Sequence, residues 1–190
     1  IVPTLKVLND EFDIQSGHIE SVHSYTNDQN LIDNFHKKVR RGRSAALNMV
    51  ITETGAGKAV GQVLPELQGK LTANAVRVPT PNVSLAIINL RFAKDITLEE
   101  LNDFLRQKAF HSDLKEQIGF TNSPEVVSTD FVGDRHAGII DSAATIVNGN
   151  KCVLYVWYDN EFGYTAQLLG LAKEMVGLTY QRYPNFSEST

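Results

Sequence analysis

Cysteine is nearly absent. The single residue, Cys152, permits neither an internal disulfide nor a cysteine-rich zinc site, which excludes disulfide-framework secreted modules and zinc fingers. A reducing compartment fits, and the cytoplasm is the expected location, with no metal site. Long hydrophobic runs are missing too. The longest, near residues 153–158, falls far short of the roughly 20 residues that cross a bilayer, so no membrane association is expected. Positive charge is not in excess: 18 Lys and Arg stand against 22 Asp and Glu, for a net charge of −4, so nucleic acid is not an expected partner. No repeat with a period of roughly 20 to 50 residues occurs, and no G-x-G-x-x-G turn, so any dinucleotide-binding Rossmann half lies outside the chain.

What is present is 190 residues at 42% apolar composition, enough to bury roughly 70% of the unfolded surface around one core. A single domain over residues 1–190 is expected. The sequence opens Ile1-Val2-Pro3-Thr4, without a methionine, and runs straight into helical spacing at Leu5, Leu8 and Phe12, as a chain cut inside a larger one would. Ser16-Gly17 suggests a turn, and residues 18–26 alternate like a strand. Residues 27–46 are polar and basic without a period, which predicts a long structured loop. A helix over residues 56–64 should end at Pro65, and strands are expected at 73–78 and 83–92. Thr97 and Glu100 form a capping box ahead of a helix to about residue 108. Short β-rich runs follow at 126–128, 137–141, 144–147 and 152–158. A final helix from near Asn160 carries Tyr164, Leu168, Leu171 and Met175 on one face and should stop at Gly177. Grouped strands favour an α+β fold with a largely antiparallel or mixed sheet and helices packed on one face. The tail at 180–190 carries no motif.

Several groups could do chemistry. His23 stands near a strand end before Ser24, Thr26 and Asp28. It is either a group that titrates near neutrality beside anion-binding donors, or a structural histidine held by backbone. Thr54-Gly55 turn into a helix start, whose free N–H groups favour phosphate, unless Thr54 is an ordinary cap. It is not a Walker A loop, because Thr52 and Ala59 stand where that motif needs Gly and Ser or Thr. Residues 36–43 hold five formal positives, suited to a solvated face, a subunit contact or small phosphates. Arg77, in a strand, either pairs with a carboxylate or grips phosphate in a cleft. Asn160 lies at a strand-to-helix junction, where it could simply cap the helix. Cys152 is expected to be a small buried hydrophobe rather than a nucleophile.

In this order the blocks HSYTND, RRGRSA, TGAGKAV, VLPELQGKL, VRVPTPNVS and WYDNEFGY resemble the catalytic domain of the phosphorylating glyceraldehyde-3-phosphate dehydrogenases over almost the whole chain. The resemblance implies oxidation of glyceraldehyde 3-phosphate with NAD and inorganic phosphate to 1,3-bisphosphoglycerate. A cysteine thiolate attacks the aldehyde, and the resulting thioester is opened by phosphate. It makes His23 the general base, and Thr26, Asp28 and Arg77 the site for the substrate's phosphate. Thr54 and Gly55 become the site for inorganic phosphate, and Asn160 with Tyr164 the contacts to the nicotinamide. Asp28, itself anionic, would then orient Arg77 or a neighbouring hydroxyl. The stretch to Arg43 resembles the loop through which subunits of a homotetramer meet. The family's nucleophile belongs to an SCTTNC-type segment that this sequence does not contain, and its cofactor domain is N-terminal and also missing. The chain alone is therefore expected to be inactive and to bind NAD poorly, with NADP left open. Ala137-Gly138 departs from a serine pair common in the family. The alternatives are the catalytic domain of an erythrose-4-phosphate dehydrogenase, or a non-catalytic binding or assembly module.

Overall fold

Proline lacks an N–H that the first helical turn does not need, and Pro3 stands at the front of helix α1 (Val2–Phe12) in the computed structural model, which describes residues 1–178. The helix stops at Asp13, whose left-handed φ of 52° lets its N–H bond Asn9 O, while Asn9 Oδ1 accepts the Ile14 N–H. The chain therefore turns before the Ser16-Gly17 pair, and strand β1 (Ile14–Ser24) runs straight through it. Gly17 answers to packing instead of turning: a Cβ there would lie 2.6 Å from Asn89 O and 2.7 Å from Leu90 Cδ2.

The remaining elements are β2 (Val50–Thr52), α2 (Ala56–Val63), β3 (Leu71–Val78), β4 (Ser84–Phe92), α3 (Leu98–His111), β5 (Ile118–Thr121), β6 (Gly138–Asp141), β7 (Ile146–Asn148), β8 (Lys151–Tyr158) and α4 (Phe162–Met175). α2 ends ahead of Pro65. α3 opens on the anticipated capping box: Thr97 Oγ1 accepts the Glu100 N–H at 3.2 Å, and Glu100 Oε2 accepts the Thr97 N–H at 2.8 Å. One expected strand is missing and one strand was not expected. Residues 126–128 form no strand: Val127 is extended, but Asp130 Oδ2 captures its N–H at 2.7 Å and leads into a 3-10 turn at Ser128–Phe131. Strand β5 was not anticipated, being too short to show a period.

The strands form one mixed sheet in the order β2-β3-β1-β4-β8-β6-β5, with β7 paired to β8. β1 with β3 and β5 with β6 are parallel; the other pairs are antiparallel. Leu5 and Leu8 of α1, Val60 of α2, and Leu101 and Leu105 of α3 share one buried cluster with Ile19, Ile88, Leu154 and Val156 of the sheet, so these helices cover one face. α4 departs from this. Its predicted stripe is helical, but Leu168, Leu171 and Met175 remain 53%, 55% and 79% exposed, because nothing in residues 1–178 covers them. The tail at 180–190 lies outside the described residues. No helix among those described is long and apolar enough to cross a membrane.

The register brings one end of the sheet together. His23 stands opposite Arg77 in the parallel pair, Val22 opposite Leu85, and Ser84 opposite Tyr158, so the carboxyl ends of β1, β3 and β8 meet the start of β4.

A Cβ at position 17 must push backbone as well as a leucine tip, so Gly17→Ala should cost about 1–3 kcal/mol, the usual penalty of overpacking. Urea unfolding measures it; an unchanged midpoint would mean that β1 and β4 are not in close contact there.

Candidate active site

At the shared strand ends, His23 Nδ1 lies 2.7 Å from Ser24 O and 2.7 Å from Arg77 Nη1, which also donates to Ser24 O at 3.0 Å. Burial, followed by the charges of Arg77 and Arg41, holds the His23 pKa below the ordinary histidine value, although the Ser24 hydrogen bond opposes this. His23 is therefore neutral at neutral pH. The Tyr158 ring stands edge-on to the imidazole with centroids 6.1 Å apart, and burial pushes its phenol pKa up. Both rings line a cavity of about 350 Å³ together with His136, Ala137, Asn160 and Tyr164.

Asn160 is not the helix cap. Ser24 Oγ and Ser84 Oγ both donate to its Oδ1, at 2.9 and 3.0 Å, and Ser84 Oγ accepts the Ser24 N–H at 3.2 Å. With its oxygen held by two hydroxyls, the amide is left to offer Nδ2 to a ligand carbonyl. Capping falls to Asp159, which is 2% exposed: its Oδ1 accepts the N–H groups of Glu161 and Phe162 at 2.9 and 2.8 Å. Asp159 Oδ2 accepts Asn82 Nδ2 and the Gly133 N–H, both at 2.9 Å. Burial raises this carboxyl's pKa, and the hydrogen bonds outweigh burial, leaving it below the ordinary range. Between Asn82 and Ser84, buried Val83 adopts φ 63°, a strained conformation for a β-branched residue at about 1–3 kcal/mol.

The predicted anion ligands divide into two groups. Arg77 touches His23, and the chain carrying Thr26 is kept beside the end of β3 by the Tyr25 N–H to Thr80 O bond at 3.2 Å. Asp28 does not orient Arg77. Its carboxylate pairs with Arg41 and lies 3.6 Å from His36 Nε2. Arg41, 9% exposed, also donates from Nε to Thr52 Oγ1 at 3.0 Å and so bridges the loop to β2. Thr54 and Gly55 stand at the start of α2. Gly55 is the cap residue, and Thr54 Oγ1 accepts the Ala56 N–H at 3.2 Å. Thr54 lines a second cavity of about 750 Å³ with Lys38, Arg40, Arg41 and Thr52. Cys152 is in the helix-covered core, where burial pushes its thiol pKa to about 12. It cannot serve either cavity as a thiolate.

Residues 1–160 match the family described as "Glyceraldehyde 3-phosphate dehydrogenase, C-terminal domain". The chain belongs to that family. It is 63% identical over 184 residues to a glyceraldehyde-3-phosphate dehydrogenase-like protein of Pseudomonas aeruginosa, covering 97% of this chain and 40% of the relative. It is 46% identical over 174 residues to a glyceraldehyde-3-phosphate dehydrogenase of Priestia megaterium, covering 91% and 51%. A glyceraldehyde-3-phosphate dehydrogenase of Borreliella burgdorferi matches at 44% over 179 residues, covering 93% and 53%. The chain thus spans about half the length of the curated relatives it matches.

Sequence reasoning gave no role to Ser84, Tyr158 or Asp159: Ser84 and Tyr158 act on residues distant in the chain, whereas Asp159, just ahead of α4, was a local capping signal overlooked in favour of Asn160. Ser24 was read as an anion donor, but its hydroxyl is given to Asn160. Arg41 was hidden among the other positives of its run. A further pair, His136 Nδ1 with Asp134 Oδ1 at 2.7 Å, supports the start of α4, where Gly163 packs against His136 O.

The hydrogen bond to Asp134 raises the His136 pKa, and the bond to His136 lowers that of Asp134. The histidine's contribution is full below about pH 6.5 and lost as pH climbs through its raised value. The carboxylate's is full above about pH 4 and lost as pH falls through its lowered value. The melting temperature of the wild type should therefore exceed that of His136→Gln most between about pH 4 and 6.5, and the gap should close in alkali. A constant gap from pH 5 to pH 9, on the same scale, would show that the pair adds nothing ionic.

Proposed function

We propose that this chain is the catalytic half of an NAD-dependent phosphorying glyceraldehyde 3-phosphate dehydrogenase, and that alone it is inactive. The observation that carries this is the convergence of a neutral histidine, a guanidinium and a fixed amide at one end of the sheet. In the longer protein a cysteine outside these 190 residues supplies the thiolate that attacks the aldehyde. His23 takes a proton at Nε2 as the bound adduct is oxidised, with Nδ1–H donated to the Ser24 carbonyl 2.7 Å away. Arg77 and Thr26 hold the substrate's phosphate. The Thr54 hydroxyl and the free N–H groups opening α2 receive the inorganic phosphate that splits the thioester, with Arg41 nearby and positioned by Asp28. When bound, NAD accepts the hydride. Asn160 fits its carboxamide through Nδ2, and Tyr164 borders the same cavity. The two hydroxyls on Oδ1 make that amide a preformed donor.

The surfaces fit a larger assembly. Leu31, Phe35, Val39, Leu47 and Met49 are exposed on the loop, as a subunit contact of a homotetramer requires, and the bare stripe of α4 suits packing on the nucleotide-binding half. A cytoplasmic setting agrees with the buried, unpaired thiol.

Assayed with glyceraldehyde 3-phosphate, NAD and phosphate, the 190-residue chain should show no turnover, and activity that survives Cys152→Ser would refute the proposal. In the full-length protein His23→Asn should lower turnover about 10²- to 10⁴-fold. An undiminished rate there would remove His23 from the role of base.

A further inference from the structure

Two groups compete for one nitrogen in the cleft. His23 Nδ1 is within 2.7 Å of both Ser24 O and Arg77 Nη1. A neutral imidazole carries its proton on one ring nitrogen and a lone pair on the other, so Nδ1 can donate to Ser24 O or accept from Arg77, but not both. A guanidinium only donates. With an Nη1–H aimed at Nδ1, the lone pair belongs on Nδ1 and the proton on Nε2, which makes the nitrogen left for the cleft a donor. That form cannot take a proton at Nε2.

We propose that Arg77 selects the tautomer of His23, and that a phosphate-type oxyanion gripping Arg77 converts the ring from its donor form to its base form. The anion arm rests on the reading of Arg77 as a phosphate site; control of the tautomer by Arg77 does not. An oxyanion makes a stronger, charge-assisted acceptor than a neutral ring nitrogen, so it draws Nη1 away from Nδ1. One proton then leaves Nε2 to solvent and one arrives at Nδ1 from solvent, where it is donated to Ser24 O, an acceptor already 2.7 Å away. Nε2 is left with a lone pair facing the cleft.

Three observations support this. Arg77 Nε is buried without a partner, so the guanidinium is under-used as it stands, and reaching that N–H requires it to turn. His23 and Arg77 are register partners on parallel strands, which fixes their contact through the sheet and not through a loop. The charged groups acting on His23 are Arg77 and Arg41, with the Tyr158 ring beside it and His136 across the cavity; the carboxylate that lines the same cavity, Asp159, is already taken by Asn82 and the N–H groups of Gly133, Glu161 and Phe162 and does not hold a doubly protonated ring. A substrate lacking the anion would leave the base unarmed.

The test is the protonated nitrogen of His23 in the ¹⁵N-labelled chain, read from long-range ¹H–¹⁵N correlations at about pH 7.5, above the ordinary histidine value of about 6.5. The His23 signals are those lost in His23→Asn. Without phosphate the proton is expected on Nε2. With saturating inorganic phosphate it is expected on Nδ1, whereas sodium chloride at equal ionic strength should leave it on Nε2. Arg77→Leu should carry it on Nδ1 in both buffers. A proton on Nδ1 in the phosphate-free wild type overturns the proposal, as does one persisting on Nε2 in Arg77→Leu; the wild-type spectra decide alone if the variant does not fold. A tautomer that obeys Arg77→Leu but ignores phosphate overturns the anion arm; the phosphate site at Arg77 falls with it only if phosphate also leaves the Arg77 side-chain ¹⁵N signals unmoved.

Discussion

The parallel pairing of β1 with β3 is the constraint on which the site depends. It sets His23 directly opposite Arg77. A slip by one residue would turn either side chain to the other face of the sheet. Because β1 is central, with β3 on one side and β4 on the other, the same register also delivers Ser24 to Ser84 and, through β8, to Asn160. Residues separated by more than a hundred positions thus meet without a long loop having to fold onto itself.

Polar groups at this end are arranged before any ligand arrives. Asp159 ties three segments to its buried carboxylate: the turn at Asn82, the backbone at Gly133 and the first turn of α4. The strain at Val83 is held in place by those bonds and by packing against Phe131 and Ile139. A site assembled in this way spends little ordering energy on binding, which is the usual source of catalytic precision. Its walls are low in polarity, and burial moves the pKa values of His23 and Tyr158 in the directions that keep both neutral.

Much of this was legible in the sequence because local chemistry carried it. The Thr97–Glu100 box, the stop at Pro65 and the β8-to-α4 junction all act within a few residues, and each appears where expected. His23, Arg77, Thr54 and Asn160 were visible as residue types suited to their setting. What escaped depends on tertiary context. Gly17 looked like a turn because close approach between strands leaves no mark in a linear pattern, and Asp28 gave no sign of choosing Arg41 over Arg77. The stripe on α4 had the right period and no partner to bury it within residues 1–178.

The central proposal is that this chain carries two separate oxyanion sites, one at Arg77 beside His23 and one where Thr54 and Gly55 open α2. Crystals of the chain soaked in inorganic phosphate test it most directly. The account predicts one anion against Arg77 and Thr26, and a second where Thr54 and Gly55 open α2. Anions bound only to the exposed side chains of Lys37, Lys38, Arg40 and Arg43, with none at either place, would contradict it.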